Sequence, residues 1–235
     1  KYLKKGCIKM DVEKVKNDFQ KRFGGSPQQI FFMGKPLVFF KSRNSILGCN
    51  VSAGGYLAVE KRKDDRIMIQ FSHTDGFLTA NSSELEKAGD YKVFRFLQSL
   101  KEFGAIVGGA RIFFYKNSKL EIPHMELLFS GAGAFCEKLP MPACVFENFR
   151  EYAFSCMGKS NYLSFCNHDN CEYLPFRKDM FKIVISHIPE RDTVKISVAE
   201  SKITQAAEAL KNENLREFGM ILNSQTERVI SEKGL

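Results

Sequence analysis

Apolar runs rich in phenylalanine, IFFMGKPLVFF at 30–40 and ARIFFY at 110–115, alternate along this chain with residues at helical spacing. That alternation restricts the fold to a mixture of helix and sheet, because a side-chain period of two builds strands and one near 3.6 builds helices. Val12, Val15, Phe19 and Phe23 recur at helical spacing and stop at Gly24 and Gly25, which predicts a first helix capped there. Gly34 and Pro36 interrupt the first Phe-rich run and predict two short strands about a turn, while YLAVEKR and RIMIQFS flank a charged loop and predict a hairpin. Val93, Phe94, Leu97 and Leu100 stripe a second helix ending near Gly104, with a strand following at 110–115. Pro123 and Pro142 are placed as first-turn residues of helices running to about 137 and 156. The last third reads as a hairpin at 161–176, a buried strand FKIVISHI, and helices at about 195–211 and 213–230. Early strands with helices interleaved later predict an α+β fold with a mixed or antiparallel sheet.

A chain of 235 residues with 44% hydrophobic content and 22 Phe can bury a large core, as one domain or two closely joined ones. The formal charge of +8 permits attraction to phosphate-bearing ligands, yet no basic run is dense. EKRKDD at 60–65 interleaves acids with its bases, so nucleic acid is not the expected partner. No apolar stretch reaches the roughly 18 residues of a membrane span and no leader pattern is present, so a cytoplasmic protein is expected. Seven Cys, an odd number, predicts reduced thiols. Cys166, His168, Asp169 and Cys171 form the one cluster with zinc-donor chemistry; lacking a second pair at finger spacing, they read instead as a hairpin around a polar turn. Ser72, His73 and Asp75 in FSHTDG read as a polar turn, since a catalytic triad converges in space and not along the chain. His124 and His187 are lone histidines beside apolar residues, and Cys136 and Cys144 read as packing on helices.

Five segments, in order, carry a family resemblance. They are DVEKVKNDFQKRFGG at 11–25, GGYLAVEKRKDDRIMI at 54–69, YKVFRFLQSLKEFGAIVGGARIFF at 91–114, MPACVFENF at 141–149 and ESKITQAAEALKNENLREFGMILNSQTERV at 200–229. Their order and spacing resemble the galactokinase branch of the GHMP small-molecule kinases. The resemblance implies an α+β GHMP-kinase-like fold, with a ribosomal-S5-domain-2-like N-terminal part over 1–177 and an incomplete ferredoxin-like C-terminal part over 178–235.

The same resemblance implies a chemistry that the residues do not reproduce. The family cradles the triphosphate with a G-L-S-S-S-A loop at a helix N-terminus, where backbone N–H groups meet an anion. Here the strand ending at Tyr115 leads through Lys116 and Asn117 straight into SKLEI, which resembles sequence beyond that loop and helix. SGAGA at 130–134 is no substitute, lacking a following Lys or Ser/Thr at the required spacing, and reads as small residues packing helix to helix. In the sugar-binding motif, the family's Arg, Glu, His and Asp correspond to Lys35, Lys41, Ser42 and Asn44. Lost carboxylate acceptors forfeit charge-assisted bonds of about 1.5–3 kcal/mol each. The family's catalytic Asp corresponds to Glu147, which reads as a polar helix residue facing solvent or pairing with Arg150. The expected protein is therefore a non-catalytic pseudokinase, a binding or regulatory module that meets a small anionic or sugar-phosphate ligand through Lys35, Lys41, Arg43 and Asn44, or meets a protein partner. No cofactor is expected. The alternative is an active sugar-1-kinase using ATP and Mg with Glu147 as its base. Loss of a helix over the sheet predicts a homodimer through ARIFFY or the 30–40 run.

Overall fold

The structure, a computed structural model, describes residues 5–42, 45–89, 91–117, 124–138, 163–167, 171–174 and 198–232. Two compact units are present: Lys1–Lys35 with Val51–Cys156, and Pro36–Asn50 with Met157–Leu235. The expected boundary at 177/178, the Pro142 helix and the FKIVISHI strand lie outside the described residues.

In the first unit, α1 (Lys5–Phe23) ends where Gly24 takes φ 74° and its N–H donates to the Gln20 carbonyl at 2.8 Å. The strands are β1 (Gln29–Lys41), β2 (Ile46–Lys61), β3 (Arg66–Phe71) and β4 (Leu78–Asn81). A short 3-10 turn at Ser82–Lys87 precedes α2 (Lys92–Glu102), β5 (Ile106–Val107) and β6 (Ala110–Lys116). The described part of the unit finishes with α3 (His124–Ser130), α4 (Ala132–Phe135) and β7 (Cys136–Lys138). β1 and β2 run on into the second unit.

β6 takes the central place. It pairs antiparallel with β2 from Gly55↔Lys116 to Lys61↔Ala110, and parallel with β3 from Ile67↔Ala110 to Phe71↔Phe114. The expected hairpin of YLAVEKR with RIMIQFS is thereby corrected: β6 lies between those two strands. The reason is coverage. Ala110, Ile112 and Phe114 face α2, α3 and α4, while Phe113 faces α1 beside Val15, Phe19, Tyr56 and Ala58. A strand apolar on both faces is stable only where both faces are covered. The proposed self-associating role of ARIFFY fails for the same reason, since Ile112, Phe113 and Phe114 are fully buried.

Two further expectations change. β1 is continuous through Gly34 and Pro36 instead of two strands about a turn; Pro is compatible with a strand whose N–H has no ladder partner. The helix expected from Pro123 to about 137 breaks at Gly131, and Cys136 lies on β7. A Cβ on Gly131 would meet Leu57 of β2 and Phe31 of β1 as well as the Leu127 carbonyl of α3, so this glycine allows a close approach to the strands, while Ala132 and Ala134 join a core that includes α2.

In the second unit, Ile46–Cys49 of β2 pairs antiparallel with β8 (Leu163–Cys166), which pairs with β9 (Cys171–Leu174). Helices α5 (Glu200–Lys211) and α6 (Leu215–Glu232) follow. Ile203, Ala206, Ala207 and Leu210 of α5 join Phe40, Leu47, Leu163, Leu174 and Phe218 in one core. α6 opens with an Asn N-cap: the Asn214 Oδ1 accepts from the Glu217 N–H at 3.2 Å, and the Asn214 side-chain amide donates to the Glu217 carboxylate at 2.8 Å. Asn214→Ala should lower stability by about 1 kcal/mol in urea denaturation; no change would show that α6 needs no cap. No helix among the described residues is long and apolar enough to cross a membrane.

Candidate functional site

Lys35 lies on β1 within the first unit, and Lys41 ends that strand, exposed, in the second. Arg43, Asn44 and Glu147 lie outside the described residues. The turn after Lys41 closes on itself, with the Ser42 N–H donating to the Ser45 carbonyl and the Ser45 N–H to the Ser42 Oγ, each at 2.9 Å. Both hydroxyls also donate to the Glu200 carboxylate. An acidic group thus returns to this turn, supplied by α5 from 155 residues further along the chain.

β6 ends at Lys116 and α3 begins at His124, leaving residues 117–123, NSKLEIP, between them. The Asn117 Oδ1 accepts from the Gly54 N–H at 3.2 Å, tying the start of this connection to β2.

A cavity of about 480 Å³ opens in the first unit, and sequence reasoning missed it. Phe71, His73, Phe77, Tyr91, Lys92 and His124 line it, with Thr74, Gly76, Leu78 and Val93. Its floor is a stack of rings: Phe71 lies 5.1 Å from Phe114 and nearly parallel to it, and His124 meets both edge-on at 4.9 Å. The turn carrying His73 is fixed from α1, where Arg22 donates to the Thr74 carbonyl at 3.0 Å and the Ser72 carbonyl at 3.3 Å. Ser72 has a structural task, its Oγ accepting the Lys116 N–H at 3.0 Å, which agrees with a polar turn and not a triad. Aromatic walls suit a flat ring, and Lys92 supplies a cation at the start of α2. Among the described residues no carboxylate lines the cavity. The sequence offered only Phe77 and Tyr91 beside polar turn residues, and the structure leaves both exposed.

Cys166 and Cys171 face each other in the β8–β9 register and are joined as a disulfide, which corrects the expectation of reduced thiols at that pair. Among the described residues no group of three His, Cys, Asp or Glu could hold a metal; His168 and Asp169 lie outside them. Cys49 and Cys136 are free and buried, and burial pushes the Cys136 thiol up to about 12, leaving it protonated and unreactive at neutral pH.

The first unit has β6 between antiparallel β2 and parallel β3, faced by helices, and the described part of the second has a hairpin and a helix pair; the fold is galactokinase-like. The structure of Lactococcus lactis galactokinase complexed with galactose is similar with a TM-score of 0.60 and 14% identity, over 87% of this chain and 62% of that one. This chain therefore spans less than two thirds of that galactokinase. The Methanococcus jannaschii mevalonate kinase matches with a TM-score of 0.48 and 11% identity, over 87% of this chain and 73% of that one. No protein-family profile matches the sequence. No curated protein matches it in sequence either.

Proposed function

We propose that this chain is a non-catalytic GHMP-fold module that binds a small anionic or sugar-phosphate ligand and does not transfer phosphate. The observation that carries this is the connection at 117–123, seven residues without glycine between β6 and α3. An anion cradle of the kind the resemblance implies needs a glycine-rich loop followed by a helix whose first N–H groups point at phosphate. The connection leads into a helix, α3, but carries no glycine that would let successive backbone N–H groups close on a phosphate. The aromatic cavity supports recognition of a flat group, and Lys41 and Arg43 beside Ser42 support recognition of an anion, with Lys35 as a further cation on β1. The exposed Phe32 and Val38 of β1 support self-association as the accompanying property.

Millimolar Mg-ATP should give no thermal stabilisation of the protein. A micromolar dissociation constant would raise stability by about 4 kcal/mol at a thousandfold excess of ligand, and would overturn the proposal. Galactose, N-acetylgalactosamine and mevalonate should remain unphosphorylated. If Glu147 were a working base, Glu147→Ala would slow sugar-dependent ADP release by about 10²–10⁴. The non-catalytic module instead predicts no such release from either form.

A further inference from the structure

Folding leaves two aromatic rings exposed at the 480 Å³ cavity, Phe77 at 40% and Tyr91 at 52%. Each is nonetheless held from beneath. Phe77 meets Phe23 of α1 edge-on at 5.3 Å, and Tyr91 meets Phe94 of α2 edge-on at 6.2 Å. The turn that carries Phe77 is fixed as well: Arg22 donates to its Ser72 and Thr74 carbonyls, and the buried Gln70 donates to those of Thr74 and Asp75 at 3.5 Å. Rings oriented by the core that keep much of their surface in water offer apolar area to a ligand, and little order is lost when a ligand covers it.

The walls narrow the occupant. Phe71, Phe77, Leu78, Tyr91 and Val93 present hydrocarbon, and the Thr74 hydroxyl is turned back to the Phe71 carbonyl at 3.3 Å. A ring with several nitrogen donors and acceptors along its edge would bury them unpaired against such walls, whereas a hydrocarbon ring carries no such cost. Positive charge enters at the start of α2. Lys92, exposed, is the first residue of that 11-residue helix, and Tyr91 at the N-cap makes no side-chain bond to the first turn. An ammonium beside first-turn N–H groups favours a carboxylate.

We infer that this cavity binds an aromatic carboxylate, its hydrocarbon ring against Phe71, Phe77 and Tyr91 and its carboxylate at Lys92. This names the anion for the ligand-binding module proposed above and rests on that reading. The volume lies within the range of about 300–1,000 Å³ usual for small-molecule sites.

The test is calorimetric titration of the full chain with naphthoate, with neutral naphthamide of the same shape, and with adenosine. Naphthoate should bind saturably and about threefold more tightly than naphthamide at low salt, the scale of an exposed charge pair. Lys92→Gln should remove that difference together with its salt dependence. Tyr91→Ala should weaken both naphthyl ligands about tenfold, as loss of an aromatic contact does. Absence of saturable naphthoate binding, equal affinity for naphthoate and naphthamide, or adenosine bound as tightly as naphthoate overturns the inference. The three-ligand comparison on the wild type stands even if a variant folds poorly. Stabilisation by Mg-ATP would overturn the non-catalytic reading whatever naphthoate does, whereas failure of naphthoate without a response to Mg-ATP overturns this inference alone.

Discussion

Phe114→Ala is expected to lower the unfolding free energy by about 3–5 kcal/mol, the usual cost of truncating a buried Phe. The ring is fully buried on the central strand, stacked on Phe71 and met edge-on by His124, so its removal opens a hole that fixed strands on both sides cannot close. Domains are stable by about 5–15 kcal/mol, and the variant should sit near the edge of folding at ambient temperature. Urea denaturation followed by tyrosine fluorescence or circular dichroism reads the loss directly. A change under about 1 kcal/mol would mean that the site collapses around the missing ring, contrary to its position in β6. Because Phe71 forms the cavity wall on the same stack, aromatic-ligand binding should weaken together with stability.

Gly54→Ala should be the second severe substitution. A Cβ at this position would run into the Met33 carbonyl of the neighbouring strand, while the Gly54 N–H is already committed to Asn117. Neither backbone can retreat without breaking strand pairing, so a loss of about 1–3 kcal/mol or more is expected from overpacking. Gly76→Ala is the control. Nothing lies within 4 Å of a Cβ there and the backbone needs no left-handed conformation. Its main effect is to restrict the unfolded chain, for a gain of about 0.4–1 kcal/mol. Paired thermal denaturation of the two variants checks both; similar effects at Gly54 and Gly76 would contradict the close approach of β1 and β2.

Much of the local structure was legible in the residues. The stripe of Val12, Val15, Phe19 and Phe23 gave α1, that of Val93, Phe94, Leu97 and Leu100 gave α2, and both helices end at glycines with φ of 74° and 93° at Gly24 and Gly104. The β8–β9 hairpin, α5 and α6 were equally readable, as was the galactokinase-like fold. Strand neighbours were not. YLAVEKR and RIMIQFS have every mark of a hairpin, and only the need to cover both apolar faces of ARIFFY drives β6 between them. The candidate site divides in the same way. Ser42 and Lys41 could be found by position in a motif, whereas Glu200 lies far along the chain from the turn it closes.

By itself, then, the sequence determined the apolar stripes of α1, α2, α5 and α6, the glycine stops of α1 and α2, and that the seven residues between Lys116 and His124 include no glycine. These follow from periodicity, backbone sterics and chain length, all of which act over a few residues. Only the tertiary structure decided that β6 is central, that Phe71, Phe77, Tyr91 and His124 from separate elements enclose one cavity, and that Glu200 returns to Ser42 and Ser45. Those outcomes depend on which apolar faces find cover and which polar groups find partners across long separations. Local pattern carries no record of that choice, because every strand with two apolar faces accepts more than one neighbour until the whole core is packed.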